Sequence, residues 1–230
     1  MEDKTVEPIF LRTPATFSEA RSIQEYIASN VARGRLTGRP AFVAGVDAAY
    51  LEDMVFAVAC LFRLPGLEHL ETAQVNEPVN FPYVPGFLSF REGPPMIKAI
   101  LNLKQKPDIL LVDGQGIAHP RKAGIASFIG LAMGIPSVGC AKSRLVGLAE
   151  EPAKSKGSRS DLIYKGEIVG VVLRTRNLCR PVFVSPGYGV TVDEAIGLVL
   201  ACTARFRIPE PIRMADQCAA KLKRIEIPPG

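Results

Sequence analysis

Two aspartates, Asp47 and Asp113, stand in apolar runs whose shape suits metal or phosphate chemistry. The run ILLV reads as a buried strand; it ends on Asp113 and continues as GQGIAHPRKAG to position 124, so a carboxylate leads into a glycine loop that backbone-close ligands can reach. A helix N-cap is the plainer role for Asp113, but Gly-Gln-Gly directly after it argues for ligand approach. Asp47 lies in AFVAGVDAAY, residues 41–50, where an unpaired charge is costly. Gly45 nearby can mark a bulge, and Asp47 alone can pair with a core cation. Together, two buried carboxylates of like sign are tolerable chiefly when a cation lies between them. Glu92, just past a proline-rich loop, is the candidate third oxygen ligand; simple pairing with Arg91 is the alternative. Divalent ions held by such a set serve in-line phosphodiester hydrolysis. Oxygen ligands favour Mg2+, with Mn2+ as a substitute.

Further candidates surround this set. Lys142 and Arg144 follow a short strand and are placed to neutralise an attacked phosphate, although a solvated strand end explains Arg144 equally well. His119, on the loop after Asp113, is a candidate for proton transfer or phosphate contact, or an ordinary hydrogen-bonding residue. Tyr83, flanked by Pro82, Val84 and Pro85, is a stiff aromatic tip suited to insertion between base steps; the dull alternative is a ring folded onto the core. The net charge is +5, from 28 Lys and Arg against 23 Asp and Glu, a mild excess in which distribution matters more than the total. Basic residues bunch at Arg33/Arg35/Arg39, Arg121/Lys122, Lys142/Arg144, Lys154/Lys156/Arg159, Arg174/Arg176/Arg180 and Lys221/Lys223/Arg224. A phosphate backbone suits that arrangement, as do merely solvated faces.

Composition limits the class. A chain of 230 residues that is 47% apolar can bury a full core, and one domain over 1–230 is the expectation. Five cysteines, odd in number and without a C-x-x-C pair, read as buried thiols in a reducing compartment; with only His69 and His119 beside them, structural zinc is disfavoured. The longest apolar run, Val55 to Phe62, is too short to span a bilayer. A cytoplasmic monomer without membrane contact is expected.

The elements that must position these residues follow from periodicity and punctuation. Helical spacing covers 17–32, with Thr16 or Ser18 as N-cap and an end at Arg33-Gly34. Strands 42–50 and 55–62 form a hairpin, with a third strand near 70–77 and a rigid loop over 80–86. A helix over 96–105, with Pro94 or Pro95 in its first turn, precedes strand 108–113. A helix from about 121 to 133 and a strand over 136–142 complete a parallel crossover. Residues 150–160 read as an exposed loop, then come strands 167–174 and 181–185, a helix over 192–205 opened by a Thr191/Glu194 capping box, and a last helix, about 211–224, ending in a Pro-Pro-Gly tail. The class is α/β with a mixed central sheet flanked by helices.

FPYVPGFLSFRE (81–92), DGQGIAHPRKAGIAS (113–127) and GCAKSR (139–144) closely resemble endonuclease V, the repair nuclease that acts on deaminated adenine, and VAGVD (43–47) matches that family's first acidic strand. The resemblance runs from about residue 17 to 224. It implies a ribonuclease H-like fold, a Mg2+-dependent active site, and incision of DNA at the second phosphodiester bond 3′ to deoxyinosine. Carried over, Asp47, Glu92 and Asp113 are the metal-binding acids, Lys142 the phosphate-side lysine and His119 the loop histidine near the scissile strand. Arg121, Lys122 and Arg144 are further DNA contacts, and Tyr83 is the wedge that fills the space left by a flipped base. Leu88, Gly114, Gly124 and Ile125 surround hypoxanthine, read by hydrogen bonds along its edge. Two positions depart from the family pattern: Phe128 and Tyr188 stand where histidines are frequent, the second of these close to the metal site, and a neutral phenol is a poor magnesium ligand. The partner implied is inosine-containing DNA, with inosine-containing RNA as a second candidate. A catalytically weakened lesion-binding module, and a nuclease for RNA or for mismatched or branched DNA, are the rival functions.

Overall fold

Apolar residues run almost unbroken through β1 (Phe42–Leu51) and β2 (Met54–Arg63), which with β3 (Glu68–Pro78) form an antiparallel meander. The computed structural model describes residues 6–31 and 34–225. The expected helix end at Arg33 and the Pro-Pro-Gly tail lie outside the described residues. β4 (Ile109–Val112) pairs in parallel with β1, and β5 (Ser137–Ala141) in parallel with β4, through the crossover helix α3 (Ile125–Met133). β8 (Val182–Tyr188), β7 (Glu167–Leu173) and β6 (Arg159–Tyr164) then add antiparallel, giving one eight-stranded mixed sheet in the order β3-β2-β1-β4-β5-β8-β7-β6.

Helices cover both faces, and the strand period of two sorts the sheet's side chains between them. Ala44, Val46, Leu110 and Val112 pack toward α1 (Phe17–Asn30), α2 (Leu88–Leu101) and α3. Val43, Ile109, Leu111, Val138 and Cys140 pack toward α4 (Val192–Ala201) and α5 (Glu210–Ile225). By the same parity Asp47 and Asp113 fall on the α5 face, each one residue past the stretch over which β1 and β4 pair in parallel, at the carboxyl end of β4, where open α/β sheets bind ligands. Among the described residues no helix is long and apolar enough to cross a membrane.

Several elements differ from the sequence expectation. α2 begins at Leu88, so Pro94 and Pro95 lie inside it and Glu92 is helical. Both prolines are buried, as are Phe90, Met96 and Ile97, and packing outweighs the two ladder donors that proline lacks. α3 starts only at Ile125, because Lys122 adopts φ +53 and Gly124 is the N-cap. β6 occupies residues read as the end of a loop and the residues after it; as an edge strand it buries only Leu162, which leaves a weak pattern. β8 runs on through Pro186 to Tyr188 across a register shift at Ser137/Val138, and α4 stops at Ala201. The expected caps are present: Thr16 accepts from Glu19 N, and Thr191 and Glu194 cap each other reciprocally.

Gly45 decides how closely α5 approaches. A Cβ there would lie 2.1 Å from the Pro211 carbonyl carbon, so the first turn of α5 rests on bare β1 backbone. Gly45→Ala is therefore expected to destabilise the fold by about 1–3 kcal/mol in urea denaturation through overpacking. Gly38→Ala, where an added Cβ meets nothing within 4 Å, serves as the near-neutral control.

Candidate active site

The contact at Gly45 brings Asp216, one and a half turns into α5, against the two strand-end carboxylates. Oxygens of Asp47, Asp113 and Asp216 all lie within 4.8 Å of one another. Lys142, just past β5, places Nζ 2.6 Å from Asp113 Oδ2 and 3.5 Å from Asp216 Oδ1. Asp113 is further fixed by its backbone N–H, which donates to Val46 O at 3.0 Å, and Asp47 Oδ1 accepts from Ala48 N at 2.8 Å. Burial pushes the Asp47 carboxyl well above the usual range and the Asp113 charge adds to this, while Ala48 N–H and Lys142 pull it down. Burial also raises Asp113, against the hydrogen bond and charge of Lys142. Lys142, despite the cost of its own partial burial, is held above the ordinary lysine value by Asp113. Three carboxylates facing one ammonium leave uncompensated negative charge, and an all-oxygen donor set fits a hard divalent cation.

Glu92 stands apart from that tight group. It reaches the same cavity from α2, and although part of its surface is open, surrounding protein pushes its carboxyl up to about 7. Tyr50, whose buried hydroxyl lacks a partner in good hydrogen-bond geometry, opposes that rise; the Asp113 charge reinforces it. The expected trio of Asp47, Glu92 and Asp113 thus shares a cavity, but the close cluster is completed by Asp216.

The cavity measures about 410 Å³, and its lining includes Tyr83, Val84, Pro85, Leu88, Gly114, His119, Gly124, Ile125, Lys142 and Arg144. Pro82, Arg121 and Lys122 lie outside this lining. Tyr83 is 71% exposed at the tip of its proline-flanked loop, not folded onto the core. Gly114 has φ +150, and a Cβ there would strike Ile125 Cγ2 at 2.5 Å, so this wall is backbone by necessity.

A buried polar lock fixes the base of the Tyr83 loop. Gly86 O accepts from Gln24 Nε2 at 2.6 Å and from His119 Nε2 at 3.0 Å. Arg121 Nε donates to Gln24 Oε1, its guanidinium lies 4.7 Å from the Phe87 ring centroid, and its N–H donates to His119 Nδ1 at 3.2 Å. Burial lowers the His119 pKa to about 4, Gly86 O opposing and the Arg121 charge assisting. His119 is accordingly a neutral imidazole with both nitrogens engaged, and Arg121 is occupied within the protein. Lys122 pairs with Glu167 at 2.8 Å, while Arg144 is exposed at the cavity.

Phe128 and Tyr188 do not border the carboxylates. Phe128 is buried, edge-on to Phe10 and Phe90 at 5.2 and 5.7 Å. Tyr188 pairs with Ser137, at the end of β5 remote from Ala141 and Lys142. The inference that Tyr188 weakens a metal site is therefore corrected: sheet register puts it at the other end.

Sequence reasoning missed Asp216 and Gln24. Gly45 was the available signal for the first, since a glycine two residues before Asp47 on the same face licenses a close helix. For Gln24 no sequence signal existed beyond a polar residue among α1's buried positions.

Two expectations follow. Glu92 is raised in the fold, so it favours folding below about 4.5 and loses that contribution as pH rises through about 7; metal-free thermal stability should fall over this window, and Glu92→Gln should flatten the fall. Gln24→Leu leaves Arg121 without its acceptor and should cost about 1–3 kcal/mol. Because the chain has no tryptophan, Tyr83→Trp gives a unique reporter whose fluorescence anisotropy should drop when Gln24→Leu is added.

The endonuclease V family model matches residues 25–217. Endonuclease V of Geotalea uraniireducens is 52% identical over 206 residues, covering 90% of this chain and 88% of that one. The crystal structure of Endonuclease V from Streptomyces avermitilis superposes with a TM-score of 0.88 at 38% identity, covering 93% of this chain and 96% of that one. Ciona intestinalis Endonuclease V, in complex with a 24mer DNA containing an inosine followed by a ribo-adenosine, superposes with a TM-score of 0.81 at 27% identity, covering 91% of this chain and 99% of that one. The mixed sheet is that of the ribonuclease H-like fold. With matches of this extent in both sequence and structure, the chain belongs to the endonuclease V family.

Proposed function

We propose that this chain is a divalent-cation-dependent endonuclease that hydrolyses DNA at the second phosphodiester bond 3′ to deoxyinosine, with Mg2+ as cofactor and Mn2+ able to replace it. The observation that carries this reading is the cluster of carboxylate oxygens within 4.8 Å, two of its members opening onto a cavity of about 410 Å³ beside an exposed tyrosine. The proposed unit is a single domain acting as a cytoplasmic monomer.

Asp47, Asp113 and Asp216 would hold the cation, with Glu92 adding an oxygen from α2. When bound, the cation supplies Lewis-acid polarisation of the phosphate and a more acidic water. Lys142 Nζ, kept charged by Asp113, donates to a non-bridging phosphate oxygen as charge builds there. Arg144, at the same mouth, adds to the field that draws the phosphate in. Tyr83, with Pro82, Val84 and Pro85 as its stiff support, occupies the gap left by the everted base. Leu88, Gly114, Gly124 and Ile125 enclose hypoxanthine, their small or apolar surfaces allowing backbone groups to read its edge. His119 and Arg121 serve by holding the wedge loop, since a neutral imidazole bonded on both nitrogens has no free site for the reacting phosphate. Lys122 would have to exchange Glu167 for a phosphate oxygen to contribute.

The weakened lesion-binding alternative drew its motive from Phe128 and Tyr188, and their positions away from the carboxylates remove it. Inosine-containing RNA remains a second substrate reading, favoured by the ribo-adenosine that follows inosine in the DNA bound by the Ciona relative.

Scission of end-labelled inosine duplex with and without Mg2+, mapped at nucleotide resolution, tests the proposal. Asp216→Ala and Asp47→Ala should each lower kcat by at least about 10³-fold while binding persists. Tyr83→Ala should weaken lesion binding about tenfold and leave Mg2+-induced thermal stabilisation intact. Cleavage by Asp216→Ala at the parental rate would remove the cluster from the mechanism. Competition by inosine RNA under the same conditions ranks the two sugars.

A further inference from the structure

Three loops that the proposed reaction does not use converge on the active-site end of the sheet. Ala141, at the end of β5, lies opposite Phe183 near the start of β8, and Leu173, at the end of β7, lies opposite Val182. The β7–β8 connection, residues 174–181, therefore leaves the sheet at the same end as Lys142. Because Arg159 at the start of β6 pairs with Leu173, residues 150–158 arrive there too. The α4–α5 connection is tied to the β7–β8 connection at two points: Thr175 Oγ1 donates to Arg207 O at 2.7 Å, and Arg207 Nη1 donates to Pro181 O at 3.2 Å.

This cluster is braced more heavily than surface loops need. Arg174 is 5% exposed, and its guanidinium donates to the carbonyls of Pro152, Ala153 and Cys179 while pairing with Glu151 at 2.7 Å. Leu178 N donates to Lys154 O at 2.8 Å, Gly157 N to Arg174 O at 2.8 Å, and Lys156 N to Asn177 Oδ1 at 2.7 Å. A buried cation held by three loop carbonyls and one carboxylate fixes the backbone beneath the outer face. That face carries Lys154, Lys156, Arg176 and Arg180, all exposed, and among the described residues none of the four is in an ion pair. The tip between Arg176 and Arg180 is Leu178, 79% exposed. The acidic residues of these loops are Glu150 and Glu151, the second already held by Arg174. Arg205 adds an exposed guanidinium on the adjoining connection, and the Arg207 charge is felt at Asp113.

We infer that this braced loop cluster is a second nucleic-acid surface, which grips the phosphate backbone of duplex DNA beyond the cleavage position. The inference rests on the preceding reading for the nature of the partner and extends it to where the flanking duplex lies. Four unpaired cations carried on braced loops at one end of the sheet complement a polyanion, because the backbone that bears them is already fixed before it binds. β7 is three strands from β4 in the sheet. At about 4.8 Å per strand this is roughly 14 Å, the rise of about four base pairs. A duplex seated with its scissile phosphate near Asp113 thus reaches the cluster only if it continues several base pairs on that side.

The test is the salt dependence of binding by the full chain carrying Lys154→Ala, Lys156→Ala, Arg176→Ala and Arg180→Ala together, measured by anisotropy without divalent cation. On an inosine duplex with about ten base pairs on both sides, the slope of log K against log salt should fall by about 3 to 4, with a tenfold to hundredfold loss of affinity at moderate salt. On duplexes cut to about two base pairs beyond the inosine, truncation of one particular side should abolish the difference between variant and parent. Cleavage of that truncated duplex should be unchanged by the four substitutions, and the charge-keeping exchange of Lys for Arg and Arg for Lys should restore the parental slope. The same slope change should appear on undamaged duplex, so the surface is tested even if preference for inosine fails. An unchanged slope on the long duplex overturns the inference, provided thermal unfolding shows the variant folded; so does a loss that is independent of duplex length. A slope change confined to single strands, or to an acidic protein competitor, also overturns it.

Discussion

Repulsion among Asp47, Asp113 and Asp216 is the constraint around which this molecule is organised. Separately, each could be solvated or capped; within 4.8 Å of one another, with Lys142 as the nearby ammonium, they raise the free energy of the empty protein. The sheet and α5 must therefore be stiff enough to hold them there. Two devices supply that stiffness. The parallel β1–β4 pair fixes Asp47 and Asp113 through consecutive ladder bonds, and the bare backbone of Gly45 lets α5 seat without an intervening side chain. Stability lost at the cluster is offset by two cores, one on each face of the sheet, both rich in fully buried aliphatic residues.

How much of this was legible in the sequence depends on how each signal is encoded. The central strands stood out because burial on both faces turns them into unbroken apolar runs, and Asp113 stood out because such a run ended on it. Glycines after Asp113 and prolines around Tyr83 were equally visible, since both residues announce backbone geometry directly. β6 was hidden by being an edge strand that buries only Leu162. α2 was read as starting too late because Pro94 and Pro95 look like breakers, whereas in a helix buried against the sheet packing decides. Asp216 was invisible for another reason: its neighbours in space lie far away in sequence, and on α5 it is simply a polar residue beside an apolar stripe. Glu92 was found, but the sequence could not say that it lines the cavity outside the tight acidic cluster.

The site also divides its labour between two kinds of polar chemistry. At the sheet's end, charges are crowded and undercompensated, a state suited to receiving a cation. Around Gly86, by contrast, donors and acceptors are matched in sequence: Gln24, His119 and Arg121 are linked through Gly86 O in one hydrogen-bonded circuit in which only Arg121 carries charge, spread over the Phe87 face. The first arrangement is unsettled until a ligand arrives; the second is complete as it stands. The first arises where the ends of β4 and β5 meet α5 beside Asp47. The second depends on α1, which lends Gln24 from outside the sheet.

The neutral imidazole in that circuit carries one more implication. With its proton loss displaced to about 4, His119 keeps the same bonding pattern well below neutrality. The loop bearing Tyr83 is thereby insulated from proton concentration, whereas the carboxylate cluster is not. On the proposed reading, scrutiny of a nucleotide and incision beside it would thus differ in their response to acid, which would idle the blade without blunting the probe.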